Sequence, residues 1–192
     1  MKKTTKNIVM ALLCPFVMLL AMPASAQEQS TAPPPLLIGE QLKETFWSFK
    51  HNVLLDGNIV KMDLKRAKGK LIILDFWASW CGMCITHMPE LIALQKKYTK
   101  DLQVVLVNCT NTRDTDDKIK AFFATRPELL RDADVITITG DTLLNTLLPH
   151  RFLPHYVWIN EKGKIAAFTD ADYISDAQIE LLLKANEGTV QP

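Results

Sequence analysis

Leu71-Ile72-Ile73-Leu74-Asp75-Phe76-Trp77 constrains the chain more than any other stretch, because it is apolar at both odd and even positions apart from one acid. A strand with one face in water alternates apolar and polar residues, whereas this run must be covered on both faces. Covering both faces of a sheet requires helices on each side, which is an α/β architecture.

The flanking segments repeat the pattern. Cys84 to Tyr98 has Met88, Leu91, Ile92, Leu94 and Tyr98 at helical spacing, with Lys96, Lys97 and Lys100 where a helix C-terminus favours cations. Leu102 to Val107 reads as a second buried strand, Asp114 to Thr125 as a helix with Ile119, Phe122 and Phe123 inward, and Val135 to Thr139 as a third strand. A short helix over Asp141 to Leu148 follows. His155 to Asn160 and Lys164 to Phe168 form a hairpin about Asn160-Glu161-Lys162-Gly163, and Ser175 to Ala185 is the closing helix, capped by Ser175 or Asp176. Upstream, Phe46 to Phe49 and Val53 to Leu55 flank the turn signal Asp56-Gly57-Asn58, which predicts an N-terminal strand pair. Lys61 to Lys70 reads as a single helical turn. The expected fold is α/β, with a mixed central sheet flanked by helices.

The first buried strand hands over to the long helix through Trp80-Cys81-Gly82-Met83-Cys84. Two intervening residues let both sulfurs share the first helical turn. The unpaired N–H groups and positive dipole end of a helix N-terminus stabilise an anion there. They lower the pKa of the first cysteine below the free value of about 8.5 and make it a nucleophile at neutral pH. Such a thiolate attacks a substrate disulfide, and the second cysteine resolves the mixed disulfide. Two other readings of the pair stand beside this one. A C-x-x-C can be half a zinc site, although no second C-x-x-C is present and His51, His87, His150 and His155 are scattered. It can also be a purely structural disulfide, although so small a loop constrains the unfolded chain little.

Asp75 is the second informative residue. A carboxylate inside a buried strand costs several kcal/mol if it is ionised without a partner, so its pKa should be raised. Near the helix start it could accept the proton of Cys84 when that thiol attacks. An acid that is salt-bridged or simply tolerated is the alternative.

Leu74-Asp75-Phe76-Trp77-Ala78-Ser79-Trp80-Cys81-Gly82-Met83-Cys84 resembles the active-site signature of the thioredoxin-like superfamily, with its acid six residues before the first cysteine. Met88-Pro89-Glu90-Leu91 is similar to the continuation found in the exported TlpA/ResA branch, and the resemblance covers most of Leu36 to Glu187. It implies a thioredoxin fold with a strand-helix insertion between Cys109 and His150, and a thiol-disulfide oxidoreductase in which Cys81, Cys84, Asp75 and Pro154 are the catalytic set. Leu153-Pro154 matches the family's cis-proline, which faces the cysteines and binds extended substrate backbone. Trp80, Gly82, Met83 and Leu153 are then the substrate-contacting residues. No metal and no cofactor is implied, since the sulfurs carry the electrons themselves. The implied partners are proteins with cysteines or disulfides and an electron donor. Met83 stands where thioredoxin has proline, and His155 where the branch usually has threonine, so the direction of electron flow stays open. A potential near about −270 mV suits a reductant and one near about −120 mV an oxidant. His155 is read either as a neighbour of the sulfurs or as a strand histidine pointing elsewhere. His87 is read as a solvated surface residue and Cys109 as a buried, inert thiol.

Residues 1–26 stand apart. Lys2, Lys3 and Lys6 precede the uncharged apolar stretch Ile8 to Met22, and Ala24-Ser25-Ala26 offers small residues for cleavage. This is the pattern of a secretory signal peptide, and the apolar run is shorter than the roughly 20 residues that span a bilayer. The expected organisation is a signal peptide (1–26), a flexible leader (27–35) containing Pro33-Pro34-Pro35, a thioredoxin-like domain (36–187) and a tail (188–192). The expected location is the periplasm or cell envelope, without stable membrane insertion after cleavage. Losing the three signal lysines takes the formal net charge from +1 to −2, leaving no basic stripe for nucleic acid.

The function expected is therefore an exported reductase exchanging its dithiol with substrate cysteines, with cytochrome c maturation as the implied setting. The alternatives are a disulfide oxidase or isomerase, and a non-catalytic binding module with a structural disulfide. A peroxidase is disfavoured, because Leu74 and Ala78 occupy the positions where peroxiredoxins carry proline and threonine.

Overall fold

The computed structural model describes residues 33–131 and 133–187, with side chains to residue 184. The expected signal peptide, all but the last three residues of the leader, and the 188–192 tail lie outside the described residues.

Three parallel strands form the middle of the sheet: β3 (Leu71–Phe76), β4 (Leu102–Cys109) and β5 (Ile136–Asp141). Every residue of β3 and β4 is buried, as a run apolar on both parities requires. β6 (His155–Ile159) pairs antiparallel with β3, and β7 (Ile165–Thr169) with β6. On the other side β1 (His51–Leu55) pairs antiparallel with β5, and β2 (Asn58–Met62) with β1. The seven strands among the described residues thus lie in the order β2-β1-β5-β4-β3-β6-β7.

Alternation along β3 divides the core in two. Leu71, Ile73 and the following Trp77 pack against α2 (Gly82–Lys97), α3 (Asp116–Ala124) and α5 (Asp176–Glu187) through Met88, Leu91, Ile92, Ile119, Phe123 and Ile179. Ile72, Leu74 and Phe76 pack against α1 (Glu44–Ser48) and α4 (Leu143–Leu147) through Phe46, Trp47 and Leu144. Asp75 has the parity of Ile73 and Trp77, so it faces α2. Ser175 caps α5, its Oγ accepting from the Gln178 N–H at 3.2 Å.

The N-terminal expectation needs correction. A hairpin does form about Asp56 and Gly57, both left-handed (φ 48° and 76°), but its first strand is His51–Leu55. Phe46 to Ser48 lies in α1, not in a strand. Both Phe46 and Trp47 are buried in the same core, and adjacent residues of a strand would point to opposite faces. Lys61 and Met62 likewise complete β2, which leaves only Lys65–Ala67 as a helical turn. Between Cys109 and His150 the chain forms α3, β5 and α4, and β5 supplies the edge on which the hairpin docks.

Candidate active site

The chain leaves β3 at Phe76, turns through Ser79 and Trp80, and enters α2 at Gly82. Cys81 is the N-cap of α2. Its Sγ accepts from the Cys84 N–H at 3.2 Å, and its carbonyl accepts from the Ile85 N–H. Cys81 and Cys84 form a disulfide with an S–S distance of 2.08 Å. Cys81 is 6% exposed and Cys84 fully buried, so the first sulfur is the one nearer solvent.

Asp75 faces the α2 side of the sheet and is fully buried, with neither carboxyl oxygen hydrogen-bonded to the protein. Burial pushes its pKa up to about 8. It is therefore no salt-bridged structural acid. Tyr156 is its cross-strand partner on the same face, and the Tyr156 hydroxyl and Trp77 Nε1 also lack protein partners. Burial first, then the Asp75 and Glu90 carboxylates, push the Tyr156 hydroxyl up.

The Leu153–Pro154 peptide bond is cis. Because His155 pairs with Phe76, this loop and the end of β3 lie at the same end of the sheet. Leu153 is half-buried and packs against both halves of the core. Phe152 is 82% exposed, Trp80 61% and Met83 56%. The Trp80 indole is nonetheless anchored, since Nε1 donates to the Thr112 carbonyl at 2.9 Å. At Gly82 a Cβ would meet no heavy atom within 4 Å, so no steric demand for glycine exists there.

His155 points away from the sulfurs. Its ring stacks on His150 (centroids 5.1 Å apart) and lies 5.9 Å from Phe76 and from Phe168, on the α1 and α4 face. Burial, then the neighbouring His150, lowers its pKa to about 4, so it is uncharged at neutral pH. His87 is half-buried, with Nδ1 4.0 Å from Glu90 Oε2. Cys109 is buried with Sγ 3.9 Å from Asp141 Oδ2, and burial together with that carboxylate pushes the thiol up, which keeps it protonated and inert.

A second buried acid escapes a reading of the sequence. Asp114, just before α3, accepts from the Ser79 N–H (2.7 Å), Ser79 Oγ (2.6 Å), Asn108 Nδ2 (2.9 Å) and Lys118 Nζ (2.7 Å). Burial raises its pKa, but the hydrogen bonds from Lys118, Ser79 and Asn108 outweigh that and hold it at about 2. Among the described residues, no group of three or more His, Cys, Asp or Glu side chains is placed to hold a metal ion.

A parallel-centred sheet, a cysteine pair at the head of the helix that follows β3, a buried acid on the α2 side of that strand and a cis-proline loop at the same end of the sheet define a thioredoxin-like protein. The chain belongs to the Redoxin family, whose model matches residues 41–177. It is 44% identical over 62 residues to the thioredoxin-like protein YneN of Bacillus subtilis, a match covering 32% of this chain and 36% of that protein. It is 35% identical over 63 residues to the thiol-disulfide oxidoreductase ResA of Bacillus thuringiensis, covering 32% of this chain and 35% of the relative. The matches thus span about a third of the length of these two curated relatives. A Chlorobium tepidum protein described as a thiol:disulfide interchange protein of the DsbE type superposes with a TM-score of 0.54 at 25% identity, covering 80% of this chain and 97% of that one.

Proposed function

We propose that the protein is a thiol-disulfide oxidoreductase that exchanges the Cys81–Cys84 pair with cysteines of substrate proteins, running as a reductase. The observation that carries this reading is Cys81 as N-cap of α2, disulfide-bonded to Cys84, with a buried acid that has no hydrogen-bond partner on the same side of the sheet. In the reduced protein the Cys81 thiolate attacks one sulfur of a substrate disulfide. A Cys81–substrate bond forms, and the other substrate sulfur leaves as a thiolate and takes a proton from water. Asp75 then accepts the proton of Cys84, whose sulfur attacks Cys81. The second substrate sulfur is released, the Cys81–Cys84 bond forms, and two electrons have passed to the substrate. An electron donor must afterwards reduce the pair.

Trp80, Met83 and Leu153 around the sulfurs, together with the cis-Pro154 loop, serve as the substrate-contacting surface; exposed aromatic and Met side chains suit an apolar stretch of polypeptide. Gly82 lets that stretch approach the first turn of α2. The reductase direction and a role in cytochrome c maturation rest on the resemblance to the TlpA/ResA branch. Export to the periplasm or cell envelope rests on the signal-peptide pattern of residues 1–26. Among the described residues, no helix is long and apolar enough to cross a membrane.

Removing the resolving sulfur tests the assignment. Cys84→Ser should arrest exchange at the first step and accumulate mixed disulfides with insulin that are resistant to alkylation and released by dithiothreitol, while Cys81→Ser should accumulate none. Trapping through Cys84 in the Cys81→Ser variant, or no trapping by either, would overturn these roles for the two sulfurs.

A further inference from the structure

The loop between β3 and α2 has no regular structure of its own, yet it carries the attacking sulfur. What holds it is the segment from Asn108 to Asp114. Asn108 Nδ2 reaches the Trp77 carbonyl at 3.3 Å, Asp114 takes both the N–H and the hydroxyl of Ser79, and the Thr112 carbonyl takes the Trp80 indole. Three of the four residues before Cys81 are therefore fastened to one neighbouring segment. Asp114 is the charged member of that group. Its own backbone is set by Thr112, whose Oγ1 accepts from the Asp114 N–H at 3.2 Å.

A buried carboxylate is expensive unless its oxygens are fully engaged. Each oxygen of Asp114 takes one donor from Ser79, two residues before Cys81, and completes its pair with Lys118 Nζ, which also supplies the countercharge, or with Asn108 Nδ2. Exchange alternately makes and breaks the Cys81–Cys84 bond, so the disulfide cannot itself hold the loop in the reduced state. Charge-assisted hydrogen bonds to backbone and hydroxyl can, because they are the strong ones and do not depend on the sulfurs.

We propose that Asp114 is a positioning residue for the exchange reaction: by gripping Ser79 it keeps Cys81 seated at the α2 N-terminus when the disulfide is open. The inference rests on the reading of Cys81 as the attacking sulfur. Asp114 touches neither sulfur nor substrate in this role. It preserves the alignment between the Cys81 sulfur and the N–H groups of the first turn, and that alignment lowers the thiol pKa.

Two variants of the full chain, Asp114→Ala and Ser79→Ala, test this. Insulin reduction with dithiothreitol as reductant gives kcat and KM, and the pH profile of Cys81 alkylation by iodoacetamide gives the thiol pKa in the reduced protein. Asp114→Ala should lower kcat about tenfold with KM unchanged, and should move the alkylation pKa upward as the sulfur loses its aligned donors. Ser79→Ala, which removes one hydrogen bond and keeps the carboxylate, should move both in the same direction by less. The sign is decisive, since deleting an anion without disturbing the loop would lower the pKa of a nearby thiol. A pKa that falls or stays put in both variants, or a loss confined to KM, overturns the proposal. If Asp114→Ala does not fold by circular dichroism, Ser79→Ala decides alone. A native protein inert to both assays would instead refute the Cys81 assignment, whereas an active native protein with unaffected variants removes only the role of Asp114.

Discussion

In the proposed mechanism Asp75 couples the proton to the electron pair. Its folded pKa of about 8 lies well above the ordinary carboxyl value, so the folded protein holds this proton more tightly than the unfolded chain does. Its contribution to stability is therefore fully present below about pH 4 and is lost as pH rises through about 8. Asp75→Asn should abolish that slope. In urea denaturation of the oxidised protein, the variant should gain on the native chain between pH 5 and 8 by a few kcal/mol, an order-of-magnitude figure. The same substitution should lengthen the life of the mixed disulfide about tenfold or more, because no carboxylate receives the Cys84 proton. A stability difference that is flat with pH would contradict the raised pKa. Asp75 is legible in the sequence because it interrupts an apolar run. Asp114 is not, since it sits in the polar stretch 110–117, where any acid resembles a solvated loop residue. Only the fold brings it to Ser79, 35 positions away in the chain.

At the scale of elements, α2 joins the chemistry to the sheet. Its first turn holds the disulfide, and its far end is tied to β4 by the buried Gln95, which donates to the Leu102 carbonyl at 3.0 Å and accepts from the Val104 N–H at 2.5 Å. Gln95→Leu should destabilise the protein by about 2 kcal/mol through two lost buried hydrogen bonds, lowering the urea midpoint while leaving the rate of insulin reduction unchanged. A loss of activity with full stability would show that the two ends of α2 are coupled. Strands and long helices are readable from periodicity because the sheet centre is covered on both faces. Phe46 to Phe49 misleads because aromatic residues favour strands locally, whereas the α1 core needs Phe46 and Trp47 on one side, in edge-to-face contact at 5.2 Å. The orientation of His155 is equally hidden, since it depends on the register of β6 against β3.

In the molecule as a whole, both halves of the core converge on one end of the sheet. The α2 half buries Cys84 and Asp75, the α1 and α4 half supports Phe76 and the histidine stack, and the cis-Pro154 loop lies where the two meet. Trp80, Met83 and Phe152 stand exposed at that end. The proposed function rests on the acidity of one sulfur. The most direct measurement is the pH dependence of iodoacetamide alkylation at Cys81 in the reduced full-length chain, with the modified residue identified by mass spectrometry. A sulfur acidified at the head of α2 predicts a single titration with a midpoint clearly below the free-thiol value of about 8.5, and with Cys81 alkylated ahead of Cys84 and Cys109. A midpoint at or above that value, or preferential alkylation of Cys84, would contradict it.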